Sequence, residues 1–132
     1  MLKERAKKYY LNEDMNCAEA VFLACRDEWN LEIPKETAKA MGGFGGGLAI
    51  GHLCGAISGG VAALGFLVID KRSHESPKMR TITEVFMEKC ENELGSFMCE
   101  DIKLTHRDDA TRCLKAVEDV CDILDSMVTR SS

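Results

Sequence analysis

Seven cysteines and three histidines carry most of the chemistry this 132-residue chain could perform. The thiols are Cys17, Cys25, Cys54, Cys90, Cys99, Cys113 and Cys121, and the imidazoles are His52, His74 and His106. No CxxC pair occurs, so neither a thioredoxin-type dithiol nor a zinc knuckle is signalled. HExxH, Walker and GxSxG motifs are absent as well. An odd number of cysteines does not suit a fully paired disulfide framework. The first ten residues, MLKERAKKYY, have no apolar h-region behind them, so no signal peptide is expected and a cytoplasmic setting is. Thiols stay reduced there unless they do redox or metal chemistry.

The elements that position these thiols divide them into two sets. Met15 to Trp29 reads as a helix with Ala18, Val21, Phe22, Cys25 and Trp29 on one stripe, Cys17 in its first turn, and Asn12 or Asp14 as its cap. Cys54 falls at the start of a glycine-rich helix that ends by Asp70, where converging amide donors favour a thiolate. Cys99 falls in a short link, Ser96 to Cys99, and Cys113 early in a last helix predicted from Arg107 to Val128 with Thr105 or Asp108 as cap. These four sit at helix starts or links and are candidates for reactivity. Cys25, Cys90 and Cys121 lie on apolar stripes, where a cysteine behaves as a small hydrophobe. His52, two residues before Cys54, could lower a thiol pKa or bind a metal, whereas His74 falls in a polar loop and His106 near a helix start.

Everything else is arranged around Met41 to Ile69, which has no Asp, Glu, Lys or Arg and holds ten of the eleven glycines. Gly55, Gly59 and Ala63 recur at four-residue steps, with Ala56 and Gly60 beside them. Each interior glycine costs about 1 kcal/mol against alanine. Such a face exists so that another helix, a second copy or a cofactor can approach the backbone, and Gly55 and Gly59 are therefore candidate cofactor-binding positions. The run Gly42 to Gly47 resembles a phosphate loop only superficially, since no strand precedes it and no lysine follows.

The remaining pattern is helical. A short helix spans residues 2–11, a third runs from Pro34 to Met41 and stops at Gly42-Gly43, and Phe44 to Leu53 reads as packed irregular backbone. A fifth helix runs from Pro77 to Glu93 with Ile82, Val85, Phe86, Lys89 and Cys90 inward, ended by Gly95. The last helix carries the stripe Cys113, Val117, Val120, Cys121 and Leu124. No strand pattern of useful length and no repeat appears. The expected architecture is an all-α single domain over 1–132, five to six helices around the glycine-rich one.

Net charge is −5 and aromatics make up 6%, which argues against nucleic acid and anionic membrane as partners. Residues 41–69 are long enough to span a bilayer, but their glycine-rich first half is a poor helix and the credible helical part is too short. The small-residue face would suit a homodimer.

Four stretches together resemble the C_GCAxxG_C_C family of small redox-active proteins. They are Asn16-Cys17-Ala18-Glu19-Ala20-Val21, Gly51-His52-Leu53-Cys54-Gly55-Ala56-Ile57-Ser58-Gly59-Gly60, Phe86 with Gly95-Ser96-Phe97-Met98-Cys99, and Cys113-Leu114-Lys115-Ala116-Val117. The family label writes Gly-Cys-Ala where this chain reads Cys54-Gly55-Ala56. The resemblance implies that Cys17, Cys54, Cys99 and Cys113 are the signature cysteines, the same four that position selects. They could work as a dithiol–disulfide centre with Cys54 as nucleophile, or as ligands of an iron–sulfur cluster. The alternatives are a structural zinc held by the same thiolates, or a helical interaction module whose cysteines merely pack. An electron donor or acceptor is implied but not named.

Overall fold

The computed structural model describes residues 1–128. Among them the chain is all-helical, as the periodicity predicts, with six α-helices: α1 (Leu2–Lys7), α2 (Cys17–Glu28), α3 (Gly55–Val68), α4 (Pro77–Leu94), α5 (Cys99–His106) and α6 (Leu114–Met127). No helix among the described residues is long and apolar enough to cross a membrane.

Helix α2 packs against α1, α3 and α6, and against the 3-10 stretch Lys35–Phe44. Ala18 and every residue from Ala20 to Cys25 are buried, so this helix is covered nearly all round rather than along the single stripe its spacing predicts. Its start is set by a capping box at Asn16, two residues beyond Asp14 and four beyond Asn12, the predicted caps. The Asn16 side chain accepts from the Glu19 amide at 2.8 Å, and the Glu19 carboxylate accepts from the Asn16 amide at 2.9 Å. The Asn16 side-chain nitrogen also donates to the carbonyls of Met41 and Gly42. The third predicted helix is a 3-10 stretch that runs through Gly42-Gly43 to Phe44, where its carbonyls find this amide.

Helix α3 begins after Cys54 as expected and packs against α2, α4 and α6. A Cβ on Gly59 would overlap the carbonyl oxygen of Ala18 and stand 2.8 Å from its Cα. The close approach predicted for this face is therefore made by another helix. On the neighbouring row, the Phe86 ring of α4 lies over Gly60, whose Cβ would meet it at 2.8 Å.

Two expectations are corrected. The inward stripe of α4 is Met79, Phe86, Cys90 and Leu94, while Val85 and Lys89 face outward. The last helix starts seven residues later than the expected Arg107, and an unexpected helix precedes it. Helix α5 starts at Cys99, and α6 begins only after Cys113. Between them the Asp108 carboxylate accepts from the Thr111 amide and hydroxyl at 2.7 and 2.8 Å, and Arg112 takes a left-handed φ of 57°. Asp108 thus builds a turn where a helix cap was expected. Tyr9 and Tyr10, read as the end of a short helix over residues 2–11, follow α1 in a wide turn and are core residues.

Candidate functional site

Four segments bring the four signature cysteines together. The first is α2, whose first residue is Cys17. The Cβ of Cys17 lies where a Cβ on Gly55 would meet it at 3.4 Å, so α2 starts against the start of α3. The second is the α3 N-terminus, where Cys54 is the N-cap residue and the nearby amides of Ile57 and Ala56 favour its thiolate. The third is the link before α5. Leu53 and Met98 form an antiparallel bridge, the Cys54 amide donates to the Phe97 carbonyl at 2.9 Å, and the Cys99 amide donates to the His52 carbonyl. Alternation along this two-rung clasp puts Cys54 and Cys99 on the same side of it. The fourth is the turn before α6, which ends in Cys113.

Backbone geometry in the 44–53 connector makes room for Cys99. Gly47 has φ +64°, and a Cβ there would stand 2.5 Å from the His52 amide nitrogen and 2.6 Å from the Cys99 Cβ. Leu48 and Ala49 are also left-handed, so a tight, irregular loop wraps the start of α5. The backbone is irregular as expected, but Leu48, Ala49 and Ile50 are exposed rather than packed.

All seven cysteines are free thiols. Cys17 feels the charges of Cys54, Cys113 and Cys99, Cys54 those of Cys99 and Cys113, and Cys99 that of Cys113, so an ionised neighbour makes each of these three harder to ionise. Burial is the larger effect. It pushes Cys17 up to about 12 and is the first cause of the upward shifts of Cys54 and Cys99. At Cys54 the amides of Ile57 and Ala56 pull the other way without offsetting burial, and the residue is only 5% exposed. The helix-start argument for a thiolate at Cys54 is right in sign and too small in size. Cys99 is half-buried, and Lys103 and Arg107 beside it favour its thiolate against burial.

Tyr10 is a site residue that sequence patterns do not reveal. Its hydroxyl accepts from the Cys113 amide at 3.1 Å and from the Cys17 thiol at 4.0 Å, bridging two signature cysteines 96 positions apart in sequence. The Arg112 guanidinium stacks on its ring at 4.3 Å and donates to its carbonyl at 2.9 Å. Tyr10, Cys17, Cys99 and Cys113 line one pocket of about 200 Å³, with Asn16, Gly45 and Gly46.

The other candidates fall elsewhere. His52 contributes its backbone to the clasp and its side chain is exposed. The space beside Gly55 and Gly59, expected to admit a cofactor, is filled by Phe44, Cys17 and Ala18. His106 closes α5 and bonds Asp119 of α6 at 3.1 Å, and His74 is exposed in a 3-10 turn. Cys25 and Cys121 face each other's charge in the core, and Cys90 lies behind Cys54. Among the described residues, no three His, Cys, Asp or Glu side chains are arranged to hold a metal ion. Three of the four thiols share a pocket and Cys54 is buried beside it, and this arrangement is not a ligand cage for a cluster or a zinc ion.

The domain is all-helical and brings three dispersed thiols, Cys17, Cys99 and Cys113, to one small pocket with Cys54 buried beside it. The chain belongs to the family described as "Putative redox-active protein (C_GCAxxG_C_C)", which it matches over residues 15–127. It is also similar to an "Uncharacterized protein" of Archaeoglobus fulgidus, 33% identical over 85 residues, covering 58% of this chain and 56% of that one. The chain thus spans little more than half the length of that curated relative. No solved structure matches.

Proposed function

We propose that this protein is a two-electron thiol-redox protein whose working centre is a dithiol–disulfide couple drawn from Cys17, Cys54, Cys99 and Cys113. The observation that carries this is that Cys17, Cys99 and Cys113 line one pocket while the Leu53–Met98 clasp holds the buried Cys54 beside Cys99. Closing a disulfide needs two Cα atoms about 4.4–6.8 Å apart, a demand that small shifts in a clasp or turn can meet. A cluster needs a complete cage, which this arrangement does not offer.

Cys99 is the thiol that meets substrate, because it is half-exposed and flanked by Lys103 and Arg107. Cys54, its neighbour across the clasp, is buried and serves as the resolving thiol. Tyr10 holds Cys17 and Cys113 at the back of the pocket. Forming the disulfide releases two electrons and two protons to an acceptor, and a reductant reverses it.

The test is disulfide mapping. Reduced protein is treated with a mild oxidant, free thiols are blocked, and cystine-linked peptides are read by mass spectrometry. A reversible bond within the signature four is expected, Cys54–Cys99 first. Four free thiols after oxidation, or bonds confined to Cys25, Cys90 and Cys121, would sink the proposal. Iron and sulfide assay of protein made without oxygen belongs beside it, because a stoichiometric cluster would replace the dithiol by a rearranged four-thiolate site.

A further inference from the structure

Lys103, Arg107 and Arg112 line the thiol pocket, and no carboxylate lines it with them. This concentration of positive charge stands out in a chain of net charge −5. Lys103 and Arg107 are one helical turn apart at the end of α5, so they project to the same side. Among the described residues neither enters a salt bridge. The Arg107 guanidinium reaches the Cys113 sulfur at 3.9 Å. Arg112 is pinned by the Tyr10 ring and carbonyl, and its acidic neighbour Asp14 stands 3.7 Å away with 91% of its side chain in solvent. Such an exposed pair is worth little, so Arg112 keeps most of its charge for the pocket.

We propose that the pocket takes a small anion, its oxygen-borne charge held by Lys103, Arg107 and Arg112 and its reactive end against Cys99 and Cys113. This rests on the thiol-redox reading only in naming the anion as the thiols' substrate. A volume of about 200 Å³ fits a compact oxyanion or short carboxylate, since pockets for drug-sized ligands hold about 300–1,000 Å³. Low-dielectric walls focus the field of the three cations and raise the local concentration of an anion at the sulfurs.

Paired alkylation tests this without requiring any redox activity. Iodoacetate carries a carboxylate and iodoacetamide does not, and in both cases a thiolate displaces iodide. Rates at Cys99 and Cys113 of the reduced full chain are measured by peptide mass spectrometry and expressed as the iodoacetate-to-iodoacetamide ratio. The expected ratio is about tenfold above that of free N-acetylcysteine. In a Lys103→Gln/Arg107→Gln double variant it returns to the free-thiol value. Both lysine and arginine are exposed, so the variant should melt with the parent. A ratio no higher than the free thiol's, or one the double variant leaves unchanged, overturns the proposal. Protection by inorganic phosphate assigns an oxyanion and protection by acetate a carboxylate, whereas protection by neither also overturns it. Loss of the charge preference with disulfide mapping intact removes the substrate class and leaves the redox reading standing. The converse result removes only the redox reading.

Discussion

At the scale of single residues, Tyr10 and the signature thiols depend on each other. The Tyr10 hydroxyl is the acceptor for the Cys113 amide and favours the thiolate of Cys17. Burial and the neighbouring thiols in turn hold Tyr10 protonated, with its pKa up to about 12. Tyr10→Phe leaves the ring in place and removes only the oxygen. Cys17 should then alkylate several-fold more slowly at pH 8–9, because a hydrogen bond to its charged form is gone. The Cys113 amide loses its acceptor, at a cost of about 1–3 kcal/mol. Site-resolved alkylation and a denaturant melt check the two effects separately. Unchanged Cys17 reactivity would show that Tyr10 is packing alone. Cys54 teaches the same lesson from the other side. Its cap position and amide donors are legible in the spacing, but its 5% exposure is not, and exposure decides the direction of its pKa.

At the scale of elements, the α2–α3 contact holds Cys17 beside Cys54. The glycines of α3 let α2 approach until Ala18 touches Gly59. Gly59→Ala gains helix propensity of about 1 kcal/mol, but its methyl meets backbone rather than a side chain that could swing away. Overpacking of this kind costs typically 1–3 kcal/mol and more where backbone must move. The variant should therefore unfold at lower denaturant and lose its Cys17-to-Cys54 proximity, read as a lower yield of any crosslink spanning the two. A melt equal to the parent's would mean that the helices separate without cost. The sequence shows that this face needs a close partner, and tertiary structure shows the partner to be α2. The late start of the last helix has an equally local cause. Asp108 can cap a helix or close a turn, and the bonds to Thr111, with the left-handed Arg112, select the turn.

At the scale of the whole molecule, the thiols bear on stability as well as function. Cys17 and Cys90 are each raised to about 12 against an ordinary value of 9.0, and Cys25 and Cys121 are raised as well, all mainly by burial. A raised folded-state pKa means that the unfolded chain gives up its proton first. The stability these thiols hold is fully present below about pH 9 and is lost as pH rises from there toward 12. Melting under strictly reducing conditions should therefore fall steeply above pH 9. Cys90→Ala should flatten part of that slope, since it removes one of the buried ionisations. A flat profile from pH 8 to 11 would contradict the burial of these groups.

Sequence alone determined the fold class and the helix starts near Cys17 and Cys54, and it singled out four thiols of the seven as the candidate centre. These follow from short-range rules: periodicity of apolar residues, glycine and proline as punctuation, and the position of each cysteine relative to a helix end. It did not determine that Tyr10 would bridge Cys17 and Cys113, that His52 would give only its backbone, or that α2 would fill the glycine face. Nor did it show Lys103, Arg107 and Arg112 meeting at the thiols, because these cations lie on α5, which the sequence pattern did not predict, and in the turn after it, which was read as helix. Contacts between segments some hundred residues apart have no local signature. Only the packing of the helices decides which side chains meet and how much water is left around them.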